Sequence, residues 1–178
     1  DMDIKGKTIV MTGGGQGLGR TMAVYLAGSG ACLALIDLSA EKLAETAGLC
    51  RAAGGSAHTY LANVAREEEV VATFERIVAD TGAVHGLINN AGILRPGGLD
   101  TLSLELWNQL IGINLTGYFL CAQAFGQQMM AKKKGAIVHI ASIAGRKPQP
   151  FSGAYSVTKA GVIMLSRQLA LEWGPMGI

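Results

Sequence analysis

Short apolar runs alternate with segments of helical periodicity along the whole chain, and this alternation limits the possible folds more than any other feature. The run CLALID, at 32–37, is apolar on both faces, which is typical of a strand covered on both sides. Strands separated by helices form parallel sheets with right-handed crossovers. The sequence therefore predicts a doubly wound α/β fold, a parallel sheet with helices on both faces. The predicted strands are 7–12, 32–37, 56–62, 86–89 and 136–141.

The intervening segments predict five helices in a single domain. The first carries apolar residues at helical spacing (Leu18, Met22, Tyr25 and Leu26), and Ser39 is a suitable N-cap for the second. The 178 residues contain neither a repeat nor a linker, so we expect one domain, 1–178. Gly174-Pro175 ends the last helix, and the residues after it resemble the entry to another strand, so we expect the protein to continue. The helices are predicted at 17–29, 40–53, 66–80, 102–131 and 152–173.

Charge and cysteine content argue against nucleic-acid and metal binding. Fifteen basic and thirteen acidic residues give a net charge of +2, and the cluster Lys132-Lys133-Lys134 is too short for a nucleic-acid footprint. Cys32, Cys50 and Cys121 lie far apart without a C-x-x-C pattern, which indicates neither a disulfide framework nor a zinc site. We expect a small-molecule substrate, and neither a metal nor a nucleic-acid partner.

One uncharged stretch, 106–131, is long enough to cross a bilayer. Asn and Gln side chains recur through it, and unpaired polar groups are costly in hydrocarbon, so a helix buried within the protein fits better than a membrane span. The residues before the first strand lack the charged and apolar regions of a signal peptide. We therefore expect a cytoplasmic protein without a membrane partner.

The turn after the first predicted strand is rich in glycine and opens a helix. Glycine lets the backbone approach a pyrophosphate closely, and the amino end of a helix supplies unpaired N–H groups and a positive dipole. The turn is therefore a candidate dinucleotide site, although a glycine-rich turn can also be only a tight turn. Its candidate cofactor residues are Gly13, Gly15, Gln16, Gly17, Leu18 and Gly19.

The second predicted strand ends in Asp37, where this class of fold places an acid against the adenosine ribose hydroxyls. A carboxylate there repels a 2′-phosphate, by up to about 4 kcal/mol for unit charges at about 4 Å and an effective dielectric near 20. The sequence therefore predicts NAD as the cofactor, with NADP less favoured. The alternative is an aspartate that only caps the following helix.

Tyr155 and Lys159 stand four residues apart on the last predicted helix, so their side chains lie on one face. A phenol has a pKa of about 10 and is a weak base near neutral pH. An ammonium at about 4 Å in a partly dry cleft favours phenolate by about 4 kcal/mol, enough to make such a pair a general acid or base. Taken alone, the spacing is also that of an ordinary surface pair.

Four motifs together resemble the short-chain dehydrogenase/reductase family. They are T-G-x-x-x-G-x-G at Thr12–Gly19, Asn89-Asn90-Ala91-Gly92, Ser142, and Y-x-x-x-K at Tyr155, which follows Ser142 by thirteen positions. The resemblance implies a Rossmann-type fold with strand order 3-2-1-4-5, in which Tyr155 exchanges a proton with the substrate oxygen and Ser142 holds that oxygen. It also implies that Lys159 binds the nicotinamide ribose, and that Asn114 holds a proton-relay water beside Lys159.

The resemblance extends the candidate cofactor site and the expected activity. It places Asn90, Ala91 and Gly92 beneath the cofactor, with Tyr155 and Lys159 at its ribose. Asn63-Val64 stands where the family usually has an aspartate against adenine, and an amide oxygen can still accept that bond. Relatives continue into further strands and a substrate lid, so the resemblance implies a chain truncated before them.

We therefore expect an NAD-dependent oxidoreductase that moves hydride between nicotinamide and a secondary alcohol or ketone: a sugar, a polyol or a 3-oxoacyl compound. The alternatives are a 3-oxoacyl-carrier-protein reductase that uses NAD(P)H, and a nucleotide-binding fragment without turnover. Sparse charge on the last long helices, together with the family resemblance, predicts a homotetramer. The expected substrate-pocket residues are Ile93, Leu94, Arg95, Ile143, Ala144, Gln149 and Phe151.

Overall fold

A computed structural model describes residues 4–178 and confirms the predicted sheet. Five parallel strands lie in the order β3-β2-β1-β4-β5, and Met11 of β1 pairs with Leu35 of β2 and Ile88 of β4. The strands are β1 (Thr8–Thr12), β2 (Cys32–Asp37), β3 (Ser56–Leu61), β4 (Gly86–Asn89) and β5 (Ala136–His139).

The connecting helices also follow the sequence closely, and the N-cap assignments explain where they begin. Ser39 accepts a hydrogen bond from Lys42 N at the start of the second helix, and three glutamates fill the first turn of the third, where the helix dipole favours acids. The helices are α1 (Gly17–Gly28), α2 (Ala40–Ala52), α3 (Glu67–Thr81), α4 (Leu104–Ile111), α5 (Gly117–Lys132) and α6 (Ala154–Trp173).

Alternate residues of each central strand enter different cores, so the sheet is covered on both faces. Val10 packs with Phe125 of α5 and Ile77 of α3, whereas its neighbour Met11 packs with α1 and α2. Successive strand side chains point to opposite faces, and two separate cores result. This arrangement is the doubly wound fold that the sequence predicts.

The side chains that α1 buries are its smallest ones, and the helix itself is the one that the apolar spacing predicts. Leu18 and Tyr25 are 57% and 76% exposed, and the helix buries the small residues Gly19, Ala23 and Ala27 instead. A Cβ at Gly19 would collide with Gly13 O, so α1 lies too close to the turn before it for a larger side chain. Small residues four apart let the helix pack closely on the sheet, and the partly buried Met22 and Leu26 pack against the same core.

The uncharged stretch 106–131 is not one continuous α-helix. A π-helical turn, Gly112–Thr116, joins α4 to α5 and buries Asn114. Within the described residues, no helix combines the length and apolar character that a membrane crossing requires. The residues after α6 form a short 3₁₀ turn, Gly174–Met176, rather than the predicted start of a strand.

Candidate active site

The carboxyl ends of β1, β4 and β2 meet at one edge of the sheet, and hydrogen bonds hold their loops together. Thr12 Oγ1 accepts hydrogen bonds from Asn90 N at 3.0 Å and Ala91 N at 3.1 Å. Asn90 Nδ2 donates to the carbonyls of Thr12 and Gly13, both at 3.1 Å. A Cβ at Gly13, where φ is +64°, would lie 2.9 Å from Ala91 Cα, so this close contact requires glycine.

Asp37 connects the glycine-rich turn to the end of β2. Its Oδ2 accepts from Gly15 N at 3.0 Å, and its Oδ1 accepts from Leu38 N at 2.8 Å. Arg20 fixes the same turn from outside: it donates to Gly15 O at 2.8 Å and forms an ion pair with Glu45 at 2.7 Å. Asp37 therefore shapes the turn through backbone contacts and also stands beside the cavity that the turn borders.

A cavity of about 520 Å³ brings together most of the predicted cofactor residues. Gly15, Gly19, Tyr155 and Lys159 do not line it. Gly15 is hydrogen-bonded to Asp37, Gly19 packs against Gly13 O, and Lys159 Nζ lies 3.9 Å from the Cβ position of Gly92 on the cavity wall. The predicted residues on its wall are Gly13, Gln16, Gly17, Leu18, Asp37, Asn63, Val64, Asn90, Ala91 and Gly92.

The cavity wall suits a dinucleotide. Gln16, the N-cap of α1, makes no side-chain capping bond, so the first amides of the helix remain open to an anion. Gly17 has φ +54°, and no atom lies within 4 Å of the position that a Cβ would take, which leaves room for a phosphate against the backbone. Asn63 Oδ1 accepts from Ala65 N at 3.0 Å, and an amide oxygen has a second lone pair for an adenine amino group.

Lys42 is a cavity residue that the sequence analysis missed. Its Nζ donates to Gln16 Oε1 at 2.6 Å, and its stem lies beside Gly15 and Asp37. Lys42 forms no ion pair with the residues that the structure describes. Ser39 caps the first turn of α2, which carries Lys42, and Thr46 Oγ1 holds the same helix against the glycine-rich turn by donating to Gly15 O at 3.0 Å.

Lys159 and Tyr155 lie side by side on α6, as their spacing predicts. Lys159 is 4% exposed, and its Nζ lies 5.7 Å from the centroid of the Tyr155 ring. Burial lowers the pKa of Lys159 to about 8. The Tyr155 hydroxyl has no hydrogen-bond partner within 4–178. The pair therefore combines a buried cation with a phenol whose oxygen forms no hydrogen bond to the described residues.

Asn114 connects the loop after β4 to α6. Its Oδ1 accepts from Ile93 N and its Nδ2 donates to Ile93 O, both at 2.8 Å. Nδ2 also donates to Thr158 Oγ1 at 3.3 Å, and Thr158 donates to the carbonyl of Tyr155. The Cβ position of Gly92 lies 3.4 Å from Asn114 Oδ1 and 3.9 Å from Lys159 Nζ, so the cavity edge, the π turn and the lysine meet here.

We expect Asn114→Ala to lower the free energy of unfolding by about 2 kcal/mol, because both backbone groups of Ile93 lose their partner. Denaturant unfolding measures this loss. Asn108→Ala, at an exposed position of α4, is the matched control and should change stability by less than about 0.5 kcal/mol. Equal stability of the two variants would show that the hydrogen bonds from Asn114 to Ile93 do not stabilise the fold.

Ser142 stands just beyond β5 and caps a short 3₁₀ turn, Ile143–Gly145. Its Oγ accepts from Ala144 N at 3.1 Å, which is the contact of an ordinary strand-end serine. In the part of the chain that the structure describes, its hydroxyl proton has no protein acceptor. A Cβ at Gly145 would lie 2.6 Å from the carbonyl of Lys159, so the Ser142 turn packs directly on α6.

Four of the seven predicted substrate-pocket residues line one or the other of two cavities. Ala144, Gln149 and Phe151 line a second cavity of about 540 Å³, which Ser156 and Val157 of α6 also border. Ser142, Tyr155 and Lys159 line neither cavity, and Lys159 approaches the first one at Gly92, whose Cβ position lies 3.9 Å from Nζ. Ile93 lines the first cavity, whereas Leu94, Arg95 and Ile143 line neither of the two.

The model of the short chain dehydrogenase family matches residues 7–178. The chain belongs to this family of oxidoreductases, which act on alcohol and ketone groups with a nicotinamide nucleotide. It is 35% identical to D-threitol dehydrogenase of Mycolicibacterium smegmatis over 178 residues, 100% of this chain and 68% of the relative. It is also 35% identical over 173 residues to a 3-oxoacyl-acyl-carrier-protein reductase of Staphylococcus aureus, 97% of this chain and 70% of the relative.

Solved structures agree closely with the fold. NAD⁺-bound xylitol dehydrogenase superposes with a TM-score of 0.95 at 33% identity, over 98% of this chain and 68% of that one. A metagenomic short-chain oxidoreductase in complex with NADP superposes with a TM-score of 0.94 at 31% identity, over 98% and 79%. These relatives bind different nicotinamide nucleotides, so the comparison alone does not select between NAD and NADP.

Proposed function

We propose that this protein transfers hydride between NAD and a secondary alcohol or ketone, with Ser142, Tyr155, Lys159 and Asn114 as its catalytic set. The observation that carries the proposal is the buried Lys159 ammonium, 5.7 Å from the Tyr155 ring centroid and beside Gly92 at the cavity edge. Nicotinamide, when bound, supplies the hydride acceptor or donor at its C4 carbon.

Each polar group of this set has a distinct task in the proposal. Tyr155 takes the proton from an alcohol or returns it to a carbonyl oxygen, and the neighbouring ammonium stabilises its phenolate form. Ser142 uses its free hydroxyl proton to hold the same oxygen. Lys159 binds the nicotinamide ribose, and Asn114 fixes the π turn and the loop that carries Gly92.

The dinucleotide would lie along the cavity with its adenosine near Asp37. The turn amides at Gln16, Gly17 and Leu18 would hold the pyrophosphate, and Asn63 with Val64 would border the adenine. Asn90, Ala91 and Gly92 lead from there toward Lys159. Gly13, Gly15 and Gly19 support this binding mode indirectly. Their small size lets the turn pack against Ala91, bond to Asp37 and lie close to α1.

NAD is the proposed cofactor because Asp37 places a carboxylate at the adenosine end. Lys42 opposes this preference, because its ammonium stands at the same end and would attract a 2′-phosphate. We therefore expect NADP to bind as well, but more weakly than NAD.

We expect Asp37→Asn to raise the affinity for NADP relative to NAD by about tenfold, since it removes the repelling charge and keeps an oxygen for the Gly15 amide. Calorimetric Kd values for both nucleotides measure the ratio. Glu41→Gln, at an exposed acid in the first turn of α2, is the matched control and should leave the ratio unchanged. An unaltered ratio in Asp37→Asn would remove the basis for NAD selection.

The substrate class follows from the relatives and is part of the proposal: a sugar, a polyol or a 3-oxoacyl compound. A panel of sugars, polyols and 3-hydroxyacyl thioesters, assayed for formation of reduced nicotinamide from NAD, tests it. Turnover of thioesters alone would favour the 3-oxoacyl-carrier-protein reductase. Tight NAD binding without turnover of any compound would favour a nucleotide-binding protein instead.

We further propose that residues 1–178 act as one dinucleotide-binding and catalytic domain within a cytoplasmic homotetramer. Three free thiols, Cys32, Cys50 and Cys121, support a reducing compartment. Exposed apolar side chains on α5 and α6 support self-association, because such surface is usually covered by a partner. They are Phe119, Val157, Met164 and Leu171.

A further inference from the structure

The Lys159 ammonium is buried without an acidic partner. Within residues 4–178 the ion pairs join Arg20 to Glu45 and Arg66 to Glu69, and neither involves Lys159. Its Nζ donates to Ile140 O at 2.7 Å and to Tyr118 Oη at 3.2 Å, and it lies 5.0 Å from the Tyr118 ring centroid. A charge removed from water needs partners that stabilise it. These contacts must therefore provide the stabilisation that a carboxylate would otherwise supply.

Tyr118 is held rigidly in the position that makes these contacts. It is 1% exposed, and its hydroxyl donates to Ile140 O at 3.2 Å, which leaves its lone pairs for the ammonium. Its ring stacks on His139 with centroids 5.5 Å apart, and its carbonyl accepts from Asn89 Nδ2 at 3.1 Å. Burial raises the pKa of Tyr118, so its phenol stays neutral and keeps its proton on Ile140 O.

We propose that Tyr118 is a positioning residue that, with the carbonyl of Ile140, holds the Lys159 ammonium charged and directed toward the nucleotide cavity. The inference rests on the proposed function, in which Lys159 binds the nicotinamide ribose. Two of the three ammonium protons are donated to Tyr118 Oη on α5 and to Ile140 O just after β5. The Cβ position of Gly92, which lines the nucleotide cavity, lies 3.9 Å from Nζ. The third proton is the one left for a ligand.

Few other groups can influence the charge of Lys159. The titratable groups that face it are Tyr155 on α6, Tyr118 on α5 and His139 on β5, whereas the π turn and the loop after β4 present neutral Asn114 and Gly92. Burial, and secondarily the Lys159 charge, lower the pKa of His139 to about 4, so His139 is neutral near pH 7. Titration of Lys159 therefore reports mainly its burial and its contacts with Tyr118 and Ile140.

Titration of Lys159 in Tyr118→Phe tests the inference without depending on turnover. Phe keeps the ring that stacks on His139 but removes the oxygen that accepts from the ammonium. NMR of ¹³C-labelled lysine side chains follows the Lys159 titration, which is assigned by its loss in Lys159→Met. We expect a Lys159 pKa near 8 in the wild type and roughly one unit lower in Tyr118→Phe. Tyr25→Phe, the same change at a 76% exposed tyrosine, should leave the Lys159 pKa unaltered.

The pH dependence of NADH binding is the second measurement. Wild-type affinity should fall as Lys159 loses its proton, and the fall should begin about one pH unit earlier in Tyr118→Phe. A variant whose Lys159 titrates as in the wild type would overturn the inference, even if NADH binds. A shifted Lys159 pKa in a protein that binds no nicotinamide nucleotide would support the contact with Tyr118 but contradict the proposed function.

Discussion

Replacing Tyr155 by Phe is expected to lower kcat by about a thousandfold, because general acid–base catalysis by one group contributes about 10²–10⁴. Phe keeps the ring face beside Lys159 Nζ and removes only the hydroxyl, which has no partner among the described residues. Nucleotide affinity should fall much less than kcat, since the Tyr155 hydroxyl is only one of the groups proposed to contact the nucleotide. Steady-state kinetics on the best substrate of the panel, with calorimetric Kd values for NAD, give both quantities.

Tyr25→Phe is the matched control, because it removes a phenol oxygen from a tyrosine that is 76% exposed on α1. Its kcat should equal that of the wild type. If Tyr155→Phe retained more than about a tenth of the wild-type kcat, the proton would have to move through another group, and the proposed catalytic set would be wrong.

Replacing Lys159 by Met should abolish turnover and at the same time stabilise the fold. Burial moves the pKa of Lys159 from 10.5 to about 8, which corresponds to a cost of up to about 3 kcal/mol for the charged form in the native state. Met fills a similar volume without a charge, so we expect the free energy of unfolding at pH 7 to rise by about 1–3 kcal/mol. Denaturant unfolding of both proteins measures the gain.

The stability gain in Lys159→Met should depend on pH in a direction fixed by the lowered pKa. Below pH 8 the lysine is charged in both the native and the unfolded protein, and the full cost of burial is present. Between pH 8 and 10.5 the native lysine is neutral while the unfolded one still holds a proton, so wild-type stability rises with pH and the advantage of Met shrinks.

Lys134→Met serves as the control, since it removes the same charge from an exposed residue after α5. It should change stability by less than about 0.5 kcal/mol at every pH. If Lys159→Met were less stable than the wild type at pH 7, the contacts to Ile140 and Tyr118 would outweigh the cost of burial, and the ammonium would stabilise the fold.

The sequence was sufficient for the sheet and for most of the cofactor cavity. The parallel sheet follows from apolar runs such as 32–37 alternating with helices, and the turn from Gly13 to Gly19 follows from glycine chemistry; both depend on local composition. The strand order came only with the family resemblance. Apolar spacing predicts the helix α1, but the usual assumption that the largest apolar side chains of a helix are the buried ones does not hold for Leu18 and Tyr25. The close contact of Gly19 with Gly13 reverses that assumption, and no pattern in the helix itself reveals the distance to the turn.

Features that depend on contacts between distant segments could not be predicted from spacing. Lys42 reaches the cavity through Gln16, twenty-six positions away, and Tyr118 reaches Lys159 across forty-one. The π turn at Asn114 reads as ordinary helix in the sequence, because its extra residue per turn changes only the hydrogen-bond register. A tyrosine within an uncharged helix is the one sequence feature that could have drawn attention to Tyr118, but core packing explains such a tyrosine equally well.

Isotope transfer tests the central claim most directly. An alcohol substrate deuterated at its carbinol carbon is incubated with NAD and the protein, and the reduced nicotinamide is analysed by mass spectrometry and NMR. With the wild type we expect deuterium at C4 of the nicotinamide, on one face of the ring, and with Tyr155→Phe a rate about a thousandfold lower. Reduced nicotinamide without deuterium, or equal rates with the two proteins, would contradict it.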